Sequence, residues 1–523
     1  MQKRISIILI AGLMGCSQHW EMYRHDVIRS GGQINASDLS NPARVPSLAV
    51  RWTFPVPASD TIAGMFSAFR ASPVVSHDRV FVGSNNGRFY ALNANTGAVL
   101  WKYPNPLAPP LRSQWQCNPS SRGIAGGAIV TRIGGVDAVI FGAPDLSLGT
   151  GFGEGRLFAL NAATGADIWK SGVVARLTGI SGASTELHEQ TGYSSPVVSG
   201  GRVYIGVANH CDNPIQKGRV VSVRLADGVV DTAFSFCAAG ACTDNSRGGG
   251  VWSSVAAFGD GLYVTTGNSR TAASEPSPNH GLSMLRLNAA TGAIVWKFQP
   301  VPFALDADPD WSAGPNVMLA SCGQLSVSTM KDGWTHAIDA NSGARRWTFP
   351  EATIPFTTSD GTVHMDTRFM RPGAAWGDVF ITTGGGLTTT TNLDANYKRL
   401  HAINACAAAT DRIRWIVDVP GASSSAYALG PPTVTRGVVY VGTNQGRLVA
   451  IADPSIHPAA GWRCTNPDVN TASCVGAGFS LVPDPAVLAN VSLSGGMAYN
   501  EPAIAQGRVF VSTDAGNVYM LKP

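Results

Sequence analysis

The chain has 523 residues, 44% of them hydrophobic and 14% charged, with 59 glycines, so it can bury a large core and is dense in turns. Its net charge of +4 is small for that length and no Lys/Arg run occurs, which argues against nucleic acid or an anionic membrane surface as a partner. No CxxCH, GxSxG, GK[ST] or HExxH motif is present, so a covalent c-type haem, a nucleophile elbow, a phosphate-binding loop and a zincin helix all lack sequence support.

In chain order, Lys3 and Arg4 precede the apolar run ISIILIAGLM, about as long as the core of an export signal and too short to cross a bilayer. Leu13-Met14-Gly15-Cys16 is similar to the bacterial lipobox, in which the cysteine becomes the lipidated first residue. Residues 1–16 are read as an export signal, 17–47 as a lead-in segment and 48–523 as the main fold. The expected place is the periplasm, free or anchored to the outer membrane through a lipid on Cys16. Setting Cys16 aside leaves eight of nine cysteines for an oxidising compartment. Close spacing favours Cys237 with Cys242 and Cys464 with Cys474, and leaves Cys117, Cys211, Cys322 and Cys406 open.

From residue 89 onward one phrase recurs: FYALNANTGAVLW ending at Trp101, LFALNAATGADIW at Trp169, MLRLNAATGAIVW at Trp296 and THAIDANSGARRW at Trp347. Each reads as a half-buried strand, a tight reversal with glycine at positive φ, and a second strand bearing an indole. The indole suits a wedge between neighbouring sheets, its N–H bonded to a carbonyl. Weaker copies reach Phe234 through Asp227-Gly228, Trp415 through a longer turn, and Trp462 through LVAIADPSIHPAAGW. The last strand, NVYMLKP, is followed by no turn and tryptophan, and LAVRWTFP at 48–55 supplies the missing piece. The repeat predicts an all-β fold: an eight-bladed β-propeller of four-stranded antiparallel blades, closed between N- and C-terminal strands. Long insertions between repeats are where a pocket is expected.

The docking tryptophans, the opening HWEMYRHDVIRSG and the SPVVS-type strands at 72–76 and 195–199 together resemble the quinoprotein alcohol dehydrogenases. Within them the resemblance is to the branch that includes polyvinyl-alcohol dehydrogenase, without a fused haem domain. That resemblance implies pyrroloquinoline quinone (PQQ) and Ca²⁺, or a lanthanide, held on the propeller axis. GGGVWSSVAAFGDGLYVTTGN is similar to the segment with the quinone's aromatic floor and an amide metal ligand, which implies those roles for Trp252 and Asn268. DADPDWSAGPNVM is similar to the segment with the catalytic base, also a metal ligand, which implies Asp310, with Asp308 as alternate. STMKDGWTHAID and QCNPSSRG imply Lys331 and Arg122 as cations on the cofactor's oxygens.

Two departures qualify the match. Gln116-Cys117 stands where methanol dehydrogenases have adjacent cysteines, so that vicinal lid cannot form. Cys211 falls at the place of the family's glutamate ligand; a thiol is a poor calcium ligand, and Asp212 is the substitute. An alternative is a Cys117–Cys211 disulfide over the pocket. The expected activity is oxidation of an alcohol, polymeric or secondary, by hydride transfer to PQQ, with a separate soluble cytochrome c as electron acceptor. The rival readings are a non-catalytic propeller lipoprotein acting as a protein-interaction scaffold in the cell envelope, and a calcium-dependent carbohydrate or polymer binder.

Overall fold

A computed structural model describes residues 18–33, 36–61, 68–104, 110–111, 123–145, 154–176, 189–191, 193–209, 217–238, 248–268, 280–300, 310–331, 334–349, 371–383, 398–408, 412–423, 428–453, 462–464, 474–476 and 485–523. Its strands form eight blades around an axis, with no α-helix among the described residues. The hub strands of blades 1 to 8 are Val74–Ser76, Ile129–Ile133, Val197–Ser199, Ala256–Phe258, Asn316–Ala320, Ala374–Trp376, Thr433–Thr435 and Ala503–Ala505. Each blade is then wound outward through antiparallel neighbours, so the eight hub strands run in one direction. Blade 8 is completed by Ala49–Pro55 pairing with Asn517–Lys522, the closure that the terminal repeats predict.

The tryptophans do what the repeat predicts. The Nε1 of Trp52, Trp101, Trp169, Trp296 and Trp347 donates to a carbonyl of the following blade at 2.9–3.2 Å. Trp415 Nε1 donates instead to the Asp453 carboxylate at 2.9 Å. The turn glycine is required twice over. At Gly97, Gly165, Gly228 and Gly343 φ is +72 to +76°, and an added Cβ would lie 2.7–2.8 Å from the indole of the preceding blade. Gly165→Ala is therefore expected to lower stability by about 1–3 kcal/mol, from left-handed strain plus displacement of Trp101. Gly134, at φ +56° with nothing within 4 Å of its would-be Cβ, is the control for backbone strain alone. Urea denaturation of Gly165→Ala and Gly134→Ala separates the two contributions.

One repeat assignment is corrected. Trp462 does not stand on the outer strand of blade 7: it lies on Trp462–Cys464, paired with Cys474–Gly476 in a separate two-stranded ribbon. The outer strand of blade 7 is Val487–Ser492, where Ala489 sits opposite Ala450 as Trp415 sits opposite Ala402 in blade 6. The insertion carries a tryptophan at a spacing that imitates the repeat, while the true strand has lost its indole. In blade 3, Phe234 is buried against Tyr204, with ring centroids 5.5 Å apart.

Residues 18–31 form the floor of the hub. Backbone hydrogen bonds tie Gln18 to blade 8, Trp20 to blade 1, Glu21 to blade 2, Val27 to blade 4, Ile28 to blade 5, Ser30 to blade 6 and Gly31 to blade 7. Blade 3 is reached by Arg29, whose Nη2 donates to the Ser195 and Pro196 carbonyls at 3.1 and 3.0 Å. Gly32–Gln33 then adds to blade 7 as a parallel strand.

Cys322 and Cys406 form a disulfide between blades 5 and 6, with Cα atoms 5.5 Å apart. Cys237 is disulfide-bonded, and Cys464 faces Cys474 in backbone register. Residues 1–16, Cys117, Cys211 and Cys242 lie outside the described residues.

Candidate active site

The segment before each hub strand and the turn after each second strand lie at the same end of the ring. Trp252 precedes the hub strand of blade 4 and Asn268 follows the second strand, Gly261–Thr265. Asp310 precedes the hub strand of blade 5, and Lys331 follows Gly323–Thr329. The backbone fixes the four at short range. Gly249 N–H donates to the Asn268 carbonyl and Gly267 N–H to the Gly250 carbonyl, both at 2.7 Å, while Lys331 N–H donates to the Asp310 carbonyl at 3.0 Å. Blades 4 and 5 approach closely because Gly267 has no side chain: its Cβ would lie 3.0 Å from the Gly250 oxygen and 3.3 Å from Asp310 Oδ2.

Three side chains meet there. Trp252 Nε1 donates to Asp310 Oδ2 at 2.8 Å, and the Lys331 ammonium forms an ion pair with Asp310 Oδ1. The same ammonium lies 5.8 Å from the centroid of the Trp252 ring. Asp310 and Lys331 are buried, and Trp252 and Asn268 are half-buried. The arrangement is a carboxylate held by one indole N–H and one ammonium beside a partly open aromatic face. Asn268 follows the glycine packed against that carboxylate, so an amide is carried to the same corner. Among the described residues no group of three or more His, Cys, Asp or Glu side chains could hold a metal. Arg122, Asp212 and Asp308 lie outside the described residues.

Sequence reasoning missed a second set at this end of the hub: Arg70, Tyr193, Arg371 and Tyr499. A signal was available. Arg70, Tyr193 and Tyr499 each stand three residues before the proline that leads into a hub strand. Also missed was His336, packed beside Trp311 with ring centroids 5.5 Å apart.

Burial pushes the His336 imidazole down to about 3 and that of His401 down to about 4, with nearby Arg345 and Arg399 adding to the effect. Unfolded, both would titrate near 6.5, so below that pH the unfolded chain binds protons that the folded chain refuses. Stability is thus expected to be full above pH 6.5 and to fall toward pH 4, by about 1.4 kcal/mol per pH unit per histidine. Denaturation midpoints of wild type and His336→Gln between about pH 7 and about pH 5 check this; an unchanged slope in the variant removes His336 from the account.

A family profile described as the glucose/ethanol/alcohol dehydrogenase β-propeller domain matches residues 20–375. The chain belongs to this family of quinoprotein alcohol dehydrogenase propellers. A second profile, outer membrane protein assembly factor BamB, matches residues 331–455. Among curated proteins the chain is 23% identical over 376 residues to polyvinylalcohol dehydrogenase of Sphingopyxis sp. (strain 113P3), covering 64% of this chain and 51% of that protein. It is 24% identical over 347 residues to the dehydrogenase subunit of the quinone alcohol dehydrogenase of Gluconacetobacter polyoxogenes, covering 58% and 42%. The chain thus spans about half the length of the curated relatives it matches. Among solved structures a europium-containing methanol dehydrogenase superposes with a TM-score of 0.62 at 15% identity, covering 97% of this chain and 98% of that one, a likeness of fold.

Proposed function

We propose that this chain is an exported PQQ- and metal-dependent dehydrogenase that oxidises an alcohol, polymeric or secondary, and passes the electrons to a separate acceptor such as a soluble cytochrome c. The observation that carries the reading is the union of Trp252, Asp310 and Lys331 at one end of the hub. These side chains fit the quinone. A flat heteroaromatic needs a ring to lie on, and the half-buried Trp252 offers one next to a buried cation that can meet quinone oxygens. Asn268 and Asp310 offer the hard oxygen donors that Ca²⁺ or a lanthanide takes, with Asp212 and Arg122 the further expected contributors.

PQQ, when bound, supplies the two-electron acceptor for the hydride of the carbinol carbon. Asp310 accepts the hydroxyl proton as that C–H bond breaks, with Trp252 holding its Oδ2 and so aiming the carboxylate. Lys331 pairs with that carboxylate and would offer positive charge to an acceptor that gains negative charge. Export and a lipid on Cys16 belong to the same proposal, which places the enzyme in the periplasm or on the outer membrane.

The scaffold alternative draws on the BamB profile, whose match covers a smaller part of the chain, within blades 5 to 7. The test is reconstitution of the full chain with PQQ and Ca²⁺, followed by absorbance and dye-linked alcohol oxidation. Quinone binding with turnover is the expected result. Absence of quinone binding at micromolar concentration favours the scaffold reading.

A further inference from the structure

The second set of side chains at the hub mouth comes from four blades. Arg70 belongs to blade 1, Tyr193 to blade 3, Arg371 to blade 6 and Tyr499 to blade 8, each just ahead of its hub strand and so on the level of Trp252. They meet across the axis. The guanidinium carbons of Arg371 and Arg70 lie 4.5 and 4.8 Å from the centroid of the Tyr499 ring. Tyr193 stacks on Tyr499 with centroids 6.2 Å apart and planes 12° from parallel, and its hydroxyl accepts a 3.2 Å hydrogen bond from Arg70 Nη1.

Two like charges converging on one ring repel each other, and each cation–π contact returns only about 0.5–2 kcal/mol. Arg70 Nε is buried without a hydrogen-bond partner among the described residues, and Asp514 acts on Arg70 through space. Guanidinium and phenol groups present N–H and O–H donors, the chemistry that receives an anion, and a planar fork suits a carboxylate best. Arg371 is fixed within blade 6, where its backbone N–H donates to Thr383 Oγ1 at 3.0 Å, and its charge is felt by the half-buried Tyr23 of the floor. In a ring of eight, blades 8 and 1 stand opposite blades 4 and 5, while blades 3 and 6 flank them, so the cluster spans the hub on the level of Trp252.

We propose that Arg70, Arg371, Tyr193 and Tyr499 form a carboxylate-binding subsite at the hub, on the level of Trp252, engaging an acidic group of the ligand that lies there. Two sources share this chemistry: PQQ, itself a tricarboxylic acid, and an alcohol substrate bearing a carboxylate. Only the first source rests on the quinone reading.

The experiment titrates the full chain, by calorimetry and tryptophan fluorescence, with PQQ and with trimellitate, a redox-inert aromatic tricarboxylate. Arg70→Gln, at a half-exposed position, and Arg371→Lys, which keeps the charge but loses the fork, are compared with wild type at matched melting temperature. Arg70→Gln is expected to weaken trimellitate by about ten- to a hundredfold, and Arg371→Lys by less. A parallel loss for PQQ, measured without alcohol, assigns the subsite to the cofactor. Unchanged PQQ affinity with a raised KM for a hydroxy acid, but not for a neutral alcohol, assigns it to substrate. If trimellitate binds through the arginines and PQQ does not bind at all, the quinone reading fails and the subsite stands. If both variants match wild type for PQQ, trimellitate and the hydroxy acid, the subsite is overturned and the quinone reading is untouched.

Discussion

Asp310→Asn is expected to reduce dye-linked alcohol oxidation by at least about 10²–10⁴-fold, the range that a positioned general base contributes. Asparagine keeps the shape and still accepts from Trp252 Nε1, so the aromatic floor stays in place and quinone binding survives. Loss of charge has a second consequence. Lys331 is buried, at 6% exposure, and its ammonium would face a neutral amide. Removing one partner of a buried pair typically lowers stability by about 3–5 kcal/mol, because the remaining charge is uncompensated. Inactivity of Asp310→Asn alone would therefore be ambiguous. In the double variant Asp310→Asn/Lys331→Met the stranded charge is gone, so much of the stability should return while turnover does not. Urea denaturation reads the first quantity and the dye assay the second. Turnover recovered in the double variant would mean that Asp310 serves only to neutralise Lys331 and is not the base.

What could be read from the sequence divides along a physical line. Trp101, Trp169 and Trp296 were legible because blade docking imposes one geometry each time: a bulged pair of strands bearing the indole, and a glycine at positive φ of the next blade against it; Trp347 shares the bulge and the carbonyl bond without that glycine. The same rule misled at Trp462, where an insertion happens to place a tryptophan at the repeat spacing and the true outer strand carries Ala489. Trp252, Asp310 and Lys331 could be singled out because each sits in a local phrase. Their convergence depends on two blades meeting at Gly267, which no local phrase states. Cys322 and Cys406, 84 residues apart, are joined because consecutive blades lie side by side; spacing alone left them open. The floor built by residues 18–33 was hidden for a different reason: its bonds are mostly backbone to backbone and leave almost no mark on side-chain identity. The Arg70–Tyr499–Arg371 cluster joins blades 1, 8 and 6, so its members are adjacent only once the ring has closed.

The largest structural effect is expected at the floor, from Glu501→Gln. Glu501 is fully buried beside blade 8 and accepts from Arg24 N–H at 2.6 Å, Arg24 Nη1 at 2.8 Å and Trp20 Nε1 at 3.4 Å. Arg24 is also fully buried and donates to the carbonyls of Pro432 and Gly373, so one side chain ties the lead-in segment to blades 6, 7 and 8. It does so with φ at +59°, a conformation that costs a non-glycine residue about 1 kcal/mol and persists only while its partners hold it. Glutamine keeps the volume and can still accept one bond, but it leaves the guanidinium charge without its counterion. The expected loss is about 3–5 kcal/mol. Arg24→Met/Glu501→Leu should recover part of this and not all, because the Pro432 carbonyl then loses its buried donor, at about 1–3 kcal/mol, whereas the Gly373 carbonyl keeps the bond from Asn316 Nδ2 at 2.9 Å. The weakened contact should be local first, so limited proteolysis of Glu501→Gln is expected to cut within residues 18–33 before any blade unfolds. A Glu501→Gln protein within about 1 kcal/mol of wild type, with that segment still protected, would mean that the backbone bonds from Gln18 to Gly31 hold the floor without the ion pair.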